Sequence, residues 1–266
     1  MAPTPPPPLT GEFQHLAATA REGALGEAAA RVHVVAECSS TQDVARSLAA
    51  AGDALGTVVI ACRQTAGRGR LGRSWVDERG MGVATTFITD AGPGAPFLAL
   101  AAGLAAHRAA QVALPHDRRL GLRWPNDVVE MGQPQRKAAG VLVEVTGRTA
   151  LVGIGINVLQ QARDWPEALA ARAVSLAQLG SSWSRAQVVD SLASMLSLYL
   201  ARPAHELAAA WQRLDTLVGS ERTFEHNGAF VTGCVEAIDP LARITLRTAG
   251  GEELHLPALT TSLVHP

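Results

Sequence analysis

Residues 57–62 read T-V-V-I-A-C, and residues 67–73 read G-R-G-R-L-G-R, three glycines alternating with three arginines around Leu71. The first run is apolar and β-branched, the signature of a buried strand. The second is therefore a loop leaving a sheet edge, not part of a disordered tail. Glycine lets backbone N–H groups approach an anion closely and tolerates φ > 0. Arginine supplies fixed, charged forks that match carboxylate or phosphate oxygens. Three guanidiniums so close together repel one another, so the expectation is a loop that stays mobile until an anion neutralises it. By itself the loop leaves two other readings open. One is a solvated Gly/Arg turn, and the other is an RGG-like element touching nucleic acid without sequence preference. RGG tracts repeat, and this one occurs once.

The rest of the composition narrows the field. A chain of 266 residues is long enough for one large domain and a small one. A net charge of −1 makes the positive charge local, which argues against general nucleic-acid binding. Cys38, Cys62 and Cys234 are far apart and show no metal spacing, and Cys38 and Cys62, which flank apolar segments, read as inert thiols. No apolar run approaches the roughly 18 residues of a membrane span, and the proline-rich start lacks a signal peptide's apolar region. The expected compartment is the cytoplasm. The 23 basic residues comprise 22 arginines and one lysine, Lys137. A bias that removes lysine wherever any cation suffices leaves it where a compact ammonium cannot be exchanged for a planar fork. That points to Lys137 as a working residue.

Taken in order, residues 1–9 are proline-rich and residues 12–31 alanine-rich. Together they form a leader (1–31) too short for a winged helix-turn-helix. Residues 32–36 read as a first strand, followed by a helix start at C-S-S-T-Q-D in which Ser40 and Asp43 fit a capping box. Ser40 and Thr41 are then either plain capping hydroxyls or donors at a helix N-terminus that meets a polar ligand. Residues 82–89 suit a strand and 96–113 a buried helix. In R-W-P-N-D, Pro125 breaks regular structure and holds Asn126 and Asp127 in a turn at a strand end, which plain turn chemistry also explains. Residues 135–145 and 150–158 read as paired strands. Gly140, Gly153 and Gly155 within them suggest close approach of a ligand or another backbone. Two helices follow, at 184–201 and 204–214. From residue 215 the pattern becomes short strands with hairpin signals at Asn227-Gly228 and Gly250-Gly251, which resembles a small β-barrel.

Ser40-Thr41, Gln64, the Gly/Arg loop with Trp75, Arg123-Trp-Pro-Asn-Asp127, Lys137-Ala-Ala-Gly140 through Glu144, and Gly153-Ile-Gly-Ile-Asn157 stand in the order and spacing of biotin–protein ligases. From about residue 32 to its end, the chain resembles that family. The resemblance implies an α+β fold: a mixed sheet with flanking helices, akin to class II aminoacyl-tRNA synthetases, over 32–214. An SH3-like barrel would occupy 215–266. It also implies that biotin and ATP, with Mg²⁺, give biotinyl-5′-AMP, and that biotin passes to a lysine of a biotin carboxyl carrier protein. By position, Ser40, Thr41, Gln42, Gln64 and Gly140 would line the biotin pocket, while Arg68, Gly69 and Arg70 cover the carboxylate and the adenylate. Arg73, Trp75, Arg123, Asn126, Asp127 and Asn157 would meet the nucleotide or its metal, with Asp127 as the Mg²⁺ ligand. Lys137 would sit between carboxylate and α-phosphate, and with Arg70 it is the expected catalytic cation.

Three positions depart from that pattern. Gln42 replaces the usual Asn, Arg123 replaces Lys, and the end T-S-L-V-H-P lacks the Arg that usually follows S-L. Rival readings are a lipoate- or octanoate-transferring ligase, whose R-R-x-S-G-G-G segment is missing, and a biotin-responsive DNA repressor without catalysis. No sequence-specific DNA partner is expected, no membrane, and either a monomer or a homodimer.

Overall fold

The apolar run with which the sequence was read is strand β2 (Thr57–Ala61), second from the edge of a seven-stranded sheet. The computed structural model describes residues 31–264 and Gln14, except residues 53, 54, 78, 79 and 133. The readings made for the leader fall almost wholly outside them.

The sheet contains β1 (Arg31–Val35), β2, β5 (Val83–Asp90), β6 (Leu120–Arg123), β7 (Asp127–Glu130), β8 (Lys137–Thr146) and β9 (Thr149–Ile156). Its spatial order is β1-β2-β5-β9-β8-β7-β6. Only β1 and β2 run parallel. The small strands β3 (Gly67–Arg68) and β4 (Ser74–Trp75) pair into a hairpin that carries the Gly/Arg loop.

Alternation along the strands sorts side chains onto two faces. Val58 and Ile60 join the main core beneath helix α2 (Ala95–Val112), whereas Val59 packs with Ala45, Ile88 and Leu151 beneath helix α1 (Thr41–Ala50). Both faces are covered, so β2 shows no polar alternation in sequence. Helix α2 is rich in alanine, and Trp211 presses against it at its one glycine, Gly103, where an added Cβ would lie 2.9 Å from the ring. Beyond the short helix α3 (Glu167–Ala170), helices α4 (Arg185–Leu200) and α5 (Ala204–Gln212) complete that layer. Each buried Leu, Ile or Val here contributes about 1.5–3 kcal/mol before conformational entropy is subtracted.

The C-terminal strands β10 (Glu221–His226), β11 (Ala229–Asp239), β12 (Arg243–Arg247), β13 (Glu253–Pro257) and β14 (Thr261–Leu263) form an antiparallel sheet ordered β13-β12-β11-β10-β14. Strands β13 and β14 are its two ends and do not pair, so the expected barrel takes the form of an open five-stranded sheet. Trp124 meets Phe224 edge to face at 6.3 Å, and the apolar core continues from one sheet into the other. Among the described residues no helix is long and apolar enough to cross a membrane.

The strands and helices that the sequence reading located lie within a residue or two of those observed. It did not locate β6, β7, the short helix α3, the β3–β4 hairpin or β14, all too short to carry a periodic signal.

Candidate active site

Strands β5, β9 and β8 lie side by side and present small residues on the α1 face: Ala84 beside Gly155, Thr86 beside Gly153, and Gly155 beside Gly140. Over this floor lies a cavity of about 460 Å³. Every residue that the family pattern nominated lines it, from Ser40 on α1 to Asn157 after β9.

Each of these glycines is approached closely by a side chain of the site. A Cβ on Gly153 would lie 2.7 Å from Gln42 Nε2, one on Gly155 2.6 Å from the Trp75 indole, and one on Gly140 2.8 Å from Lys137 Nζ. They make room for side chains of the site.

At one end the surfaces are neutral and polar. Ser40 caps α1 by accepting from Gln42 N (3.3 Å), so its partner is not the Asp43 amide of a capping box. Thr41 N and Thr41 Oγ1 donate to Gln64 Oε1 (2.7 and 3.1 Å), and Thr86 Oγ1 donates to Thr41 Oγ1 (2.9 Å). Gln42 Nε2 donates to Leu142 O (3.0 Å), leaving its buried Oε1 without a protein partner. A buried acceptor left open in this way costs about 1–3 kcal/mol unless a ligand donor meets it.

At the other end the surfaces are charged. Lys137 Nζ lies 2.6 Å from Asp127 Oδ1, and Arg123 Nη2 donates to Asp127 Oδ2 (2.9 Å). Burial alone would raise the Asp127 carboxyl, but the Lys137 and Arg123 charges outweigh it and hold the pKa at about 2. Lys137 also stands 5.5 Å from the Trp75 ring centroid. Asn157 Nδ2 donates to the carbonyls of Lys137 (3.1 Å) and Val174 (3.2 Å), and Asn126 Nδ2 to that of Val141 (2.6 Å), so both amides hold the strands that frame the site. Both Asp127 oxygens are paired with cations, Lys137 on one and Arg123 on the other.

The Gly/Arg loop arches over the cavity. It does not depend on an external anion for partners, as the sequence reading assumed. Arg68 donates to Asp43 (2.5 Å) and Glu144 (3.3 Å), and Arg46 binds the same two carboxylates (2.8 and 2.7 Å). Arg70 donates to the Ala258 carbonyl and Arg73 to Ser262 Oγ (3.1 Å). Each partner lies more than twenty residues away in the chain, which is why the sequence showed mutual repulsion alone. Burial lowers the Arg70 pKa from its usual value, opposed by the Asp127 charge and assisted by that of Arg73.

Sequence reasoning missed Asp43 and Glu144 as partners of Arg68. It also missed the segment carrying Trp165 and Arg172, which lines the cavity and pairs with the start of β8, Lys137 N donating to Arg172 O (2.7 Å). No motif marks that segment. Cys62 is buried and Cys38, half-buried, is pushed up to about 11 by burial and nearby carboxylates, as expected of inert thiols.

The site is thus a sheet floored by glycines, with a neutral polar recess and a cationic half under the arginine loop. Residues 35–160 match the Biotin/lipoate A/B protein ligase family. The chain is 33% identical over 249 residues to the biotin--[acetyl-CoA-carboxylase] ligase of Mycobacterium tuberculosis, covering 85% of this chain and 89% of that one. It is 36% identical over 165 residues to the bifunctional ligase/repressor BirA of Bacillus spizizenii, spanning about half of that relative (49%). In three dimensions it superposes on the Aquifex aeolicus biotin protein ligase in complex with biotin and ATP with a TM-score of 0.75 and 27% identity, covering 89% of this chain and all of that one. The chain belongs to the biotin/lipoate protein ligase family.

Proposed function

We propose that this chain is an ATP-dependent biotin–protein ligase that works in the cytoplasm on a biotin carboxyl carrier domain. Residues 32–214 would carry the catalysis, and 215–266 would close one side of the site. The observation that carries this reading is the position of Lys137. The only lysine of the chain sits in the charged half of the cavity, held against Asp127 at 2.6 Å.

In the first step a biotin carboxylate oxygen bonds to the α-phosphorus of ATP as the bond to the β-phosphate oxygen breaks, releasing pyrophosphate. Two anions must meet, so cations fixed in advance lower the barrier by stabilising charge that peaks in the transition state. Lys137 and Arg70 fill that role. Asp127 and Arg123 hold the Lys137 ammonium in place, and Trp75 gives the adenylate a flat apolar surface. Ser40, Thr41, Gln64 and the open Oε1 of Gln42 suit the ureido group of biotin, which carries two N–H donors and a carbonyl. In the second step the carrier's lysine amine attacks the acyl carbon, AMP leaves, and the attacking nitrogen loses a proton. The lid keeps water from the mixed anhydride between the steps.

Incubation with biotin, labelled ATP and Mg²⁺ should yield biotinyl-AMP, and lipoate in place of biotin should not support it. Equal activation of lipoate would move the chain to the lipoate branch of the family.

A further inference from the structure

Two residues after Trp75, the carboxyl group of Asp77 is only half used. Its Oδ1 accepts from Met81 N (3.1 Å) and Gly82 N (3.2 Å), while the buried Oδ2 has no protein partner. Three residues after Asn157, the side-chain oxygen of Gln160 is in the same position: buried, with no partner. Asp77 and Gln160 are each 5% exposed, so bulk water does not serve either of them. The two side chains converge, since a Cβ on Gly82 would lie 3.3 Å from Gln160 Nε2 and 3.5 Å from Asp77 Oδ1. Both line a second cavity of about 20 Å³, with Val76, Asp164 and Trp165 among the residues around it. Such a volume holds one particle the size of a water molecule. Buried acceptors are rarely left open in this way, and two on one small cavity point to an occupant. Burial raises the Asp77 carboxyl, outweighing the Gly82 and Met81 amides and the Arg185 and Arg63 charges that act to lower it.

We infer that the cavity between Asp77 and Gln160 is a binding site for one monovalent cation the size of potassium, held by Asp77 Oδ2 and Gln160 Oε1. A water molecule offers donors to both oxygens but brings no net charge to the carboxylate. A monovalent cation satisfies both oxygens and also neutralises Asp77, with Asp164 adding a second negative charge at the same cavity. A divalent ion wants more charged oxygens, and the described residues contain no group of three His, Cys, Asp or Glu that could hold one. Val76 and Trp165 line both this cavity and the large one. A cation here therefore ties the turn after Trp75 to the segment after Asn157, bracing one wall of the active site from behind. The consequence for ATP, a tighter hold when the cation is bound, rests on the ligase reading above; the binding of the cation does not.

The test uses the full chain and two variants, Asp77→Asn and Gln160→Leu, each melted in potassium chloride and in choline chloride at equal ionic strength. For the parent, potassium raises Tm by about 2–4 °C over choline, as follows from binding to the folded state alone, and the rise saturates with potassium concentration. Both variants lose that rise, whatever their Tm in choline. Gln160→Leu keeps the Asp77 charge, so the test does not depend on the folding of Asp77→Asn. A parent Tm that fails to distinguish the two salts overturns the inference and leaves a water molecule in the cavity. A potassium effect that persists in both variants overturns it too, by placing the cation elsewhere. The second readout is biotin-dependent exchange of pyrophosphate into ATP: the KM of the parent for ATP is several-fold lower in potassium than in choline, and the variants show no difference. A potassium-dependent Tm with equal KM in the two salts keeps the site and overturns its link to ATP. A parent without exchange in either salt counts against the ligase reading alone, because melting still decides the site.

Discussion

Lys137 and Asp127 face each other at 2.6 Å across the pairing of β7 and β8, with Arg123 on the other oxygen of the same carboxylate. One partly buried anion thus holds two cations, and Lys137 keeps its place without help from a ligand. Replacing Lys137 by Ala removes one preorganised charge from the reacting centre. Adenylate formation, followed by pyrophosphate exchange, should fall by ~10²–10³ while the unfolding transition stays cooperative. Lys137→Arg should also be poor, because a planar fork cannot take the place of a point donor between two anions. Near-parent exchange in either variant would remove Lys137 from the chemistry.

The same carboxylate sets an acid limit. The Asp127 pKa is lowered from 3.8 to about 2 in the folded state. A depressed carboxyl stabilises the fold above the unfolded value, and that stabilisation is lost as pH falls through the folded value. The contribution is on the order of 2 kcal/mol above about pH 4, vanishing below about pH 2. Asp127→Asn should therefore be less stable than the parent in urea at pH 7, and the gap should close as pH drops from 4 towards 2. A gap that stays constant over that range would show that the carboxylate's charge does not stabilise the fold.

The glycine floor gives a crossed pair of substitutions. An alanine Cβ at position 155 would overlap Trp75, and one at position 153 would overlap Gln42. Overpacking of this kind costs ~1–3 kcal/mol unless the neighbour moves, and here the neighbours are ligand-facing. Gly155→Ala should raise the KM for ATP by about tenfold with a smaller effect on biotin. Gly153→Ala should do the reverse. Calorimetric titration of each variant with each substrate would settle it, and equal effects on both ligands would show that the recess and the charged half are not separate subsites.

The clamp of Arg68 and Arg46 on Asp43 and Glu144 ties the lid to α1 and β8. Exposed ion pairs contribute only ~0.2–1 kcal/mol each, but here they share partners in a network. With Asp43→Asn and Glu144→Gln together, biotinyl-AMP should leave about three- to tenfold faster. Salt should accelerate release from the parent by screening these pairs, and should not accelerate it from the double variant. Stopped-flow release measured at low and high ionic strength is the check. A release rate that the double substitution leaves unaltered would mean the lid is held from its other end.

The C-terminal turn at Ala258 and Ser262 is that other end, and it shows where the sequence stops being informative. Gly67 to Arg73, Lys137 and Arg123 to Asp127 were legible because their chemistry is local: glycine spacing, a lone lysine, a proline-broken turn. The strands and helices were legible because burial imposes periods of 2 and 3.6 on residues close in sequence. What no local pattern contains is which distant group answers each charge. Tertiary structure decided that Arg68 meets Asp43 and Glu144, that Arg70 meets Ala258, and that Asp127 is the hub of two ion pairs. It also decided that Gly153 and Gly155 seat Gln42 and Trp75, and that β14 closes one side of the site. The reason is physical. Hydrogen bonds and ion pairs act over a few ångströms, so their partners are fixed only once chain folding has brought residues a hundred positions apart into contact. The sequence by itself determined which groups were available, and the fold determined what each one touches.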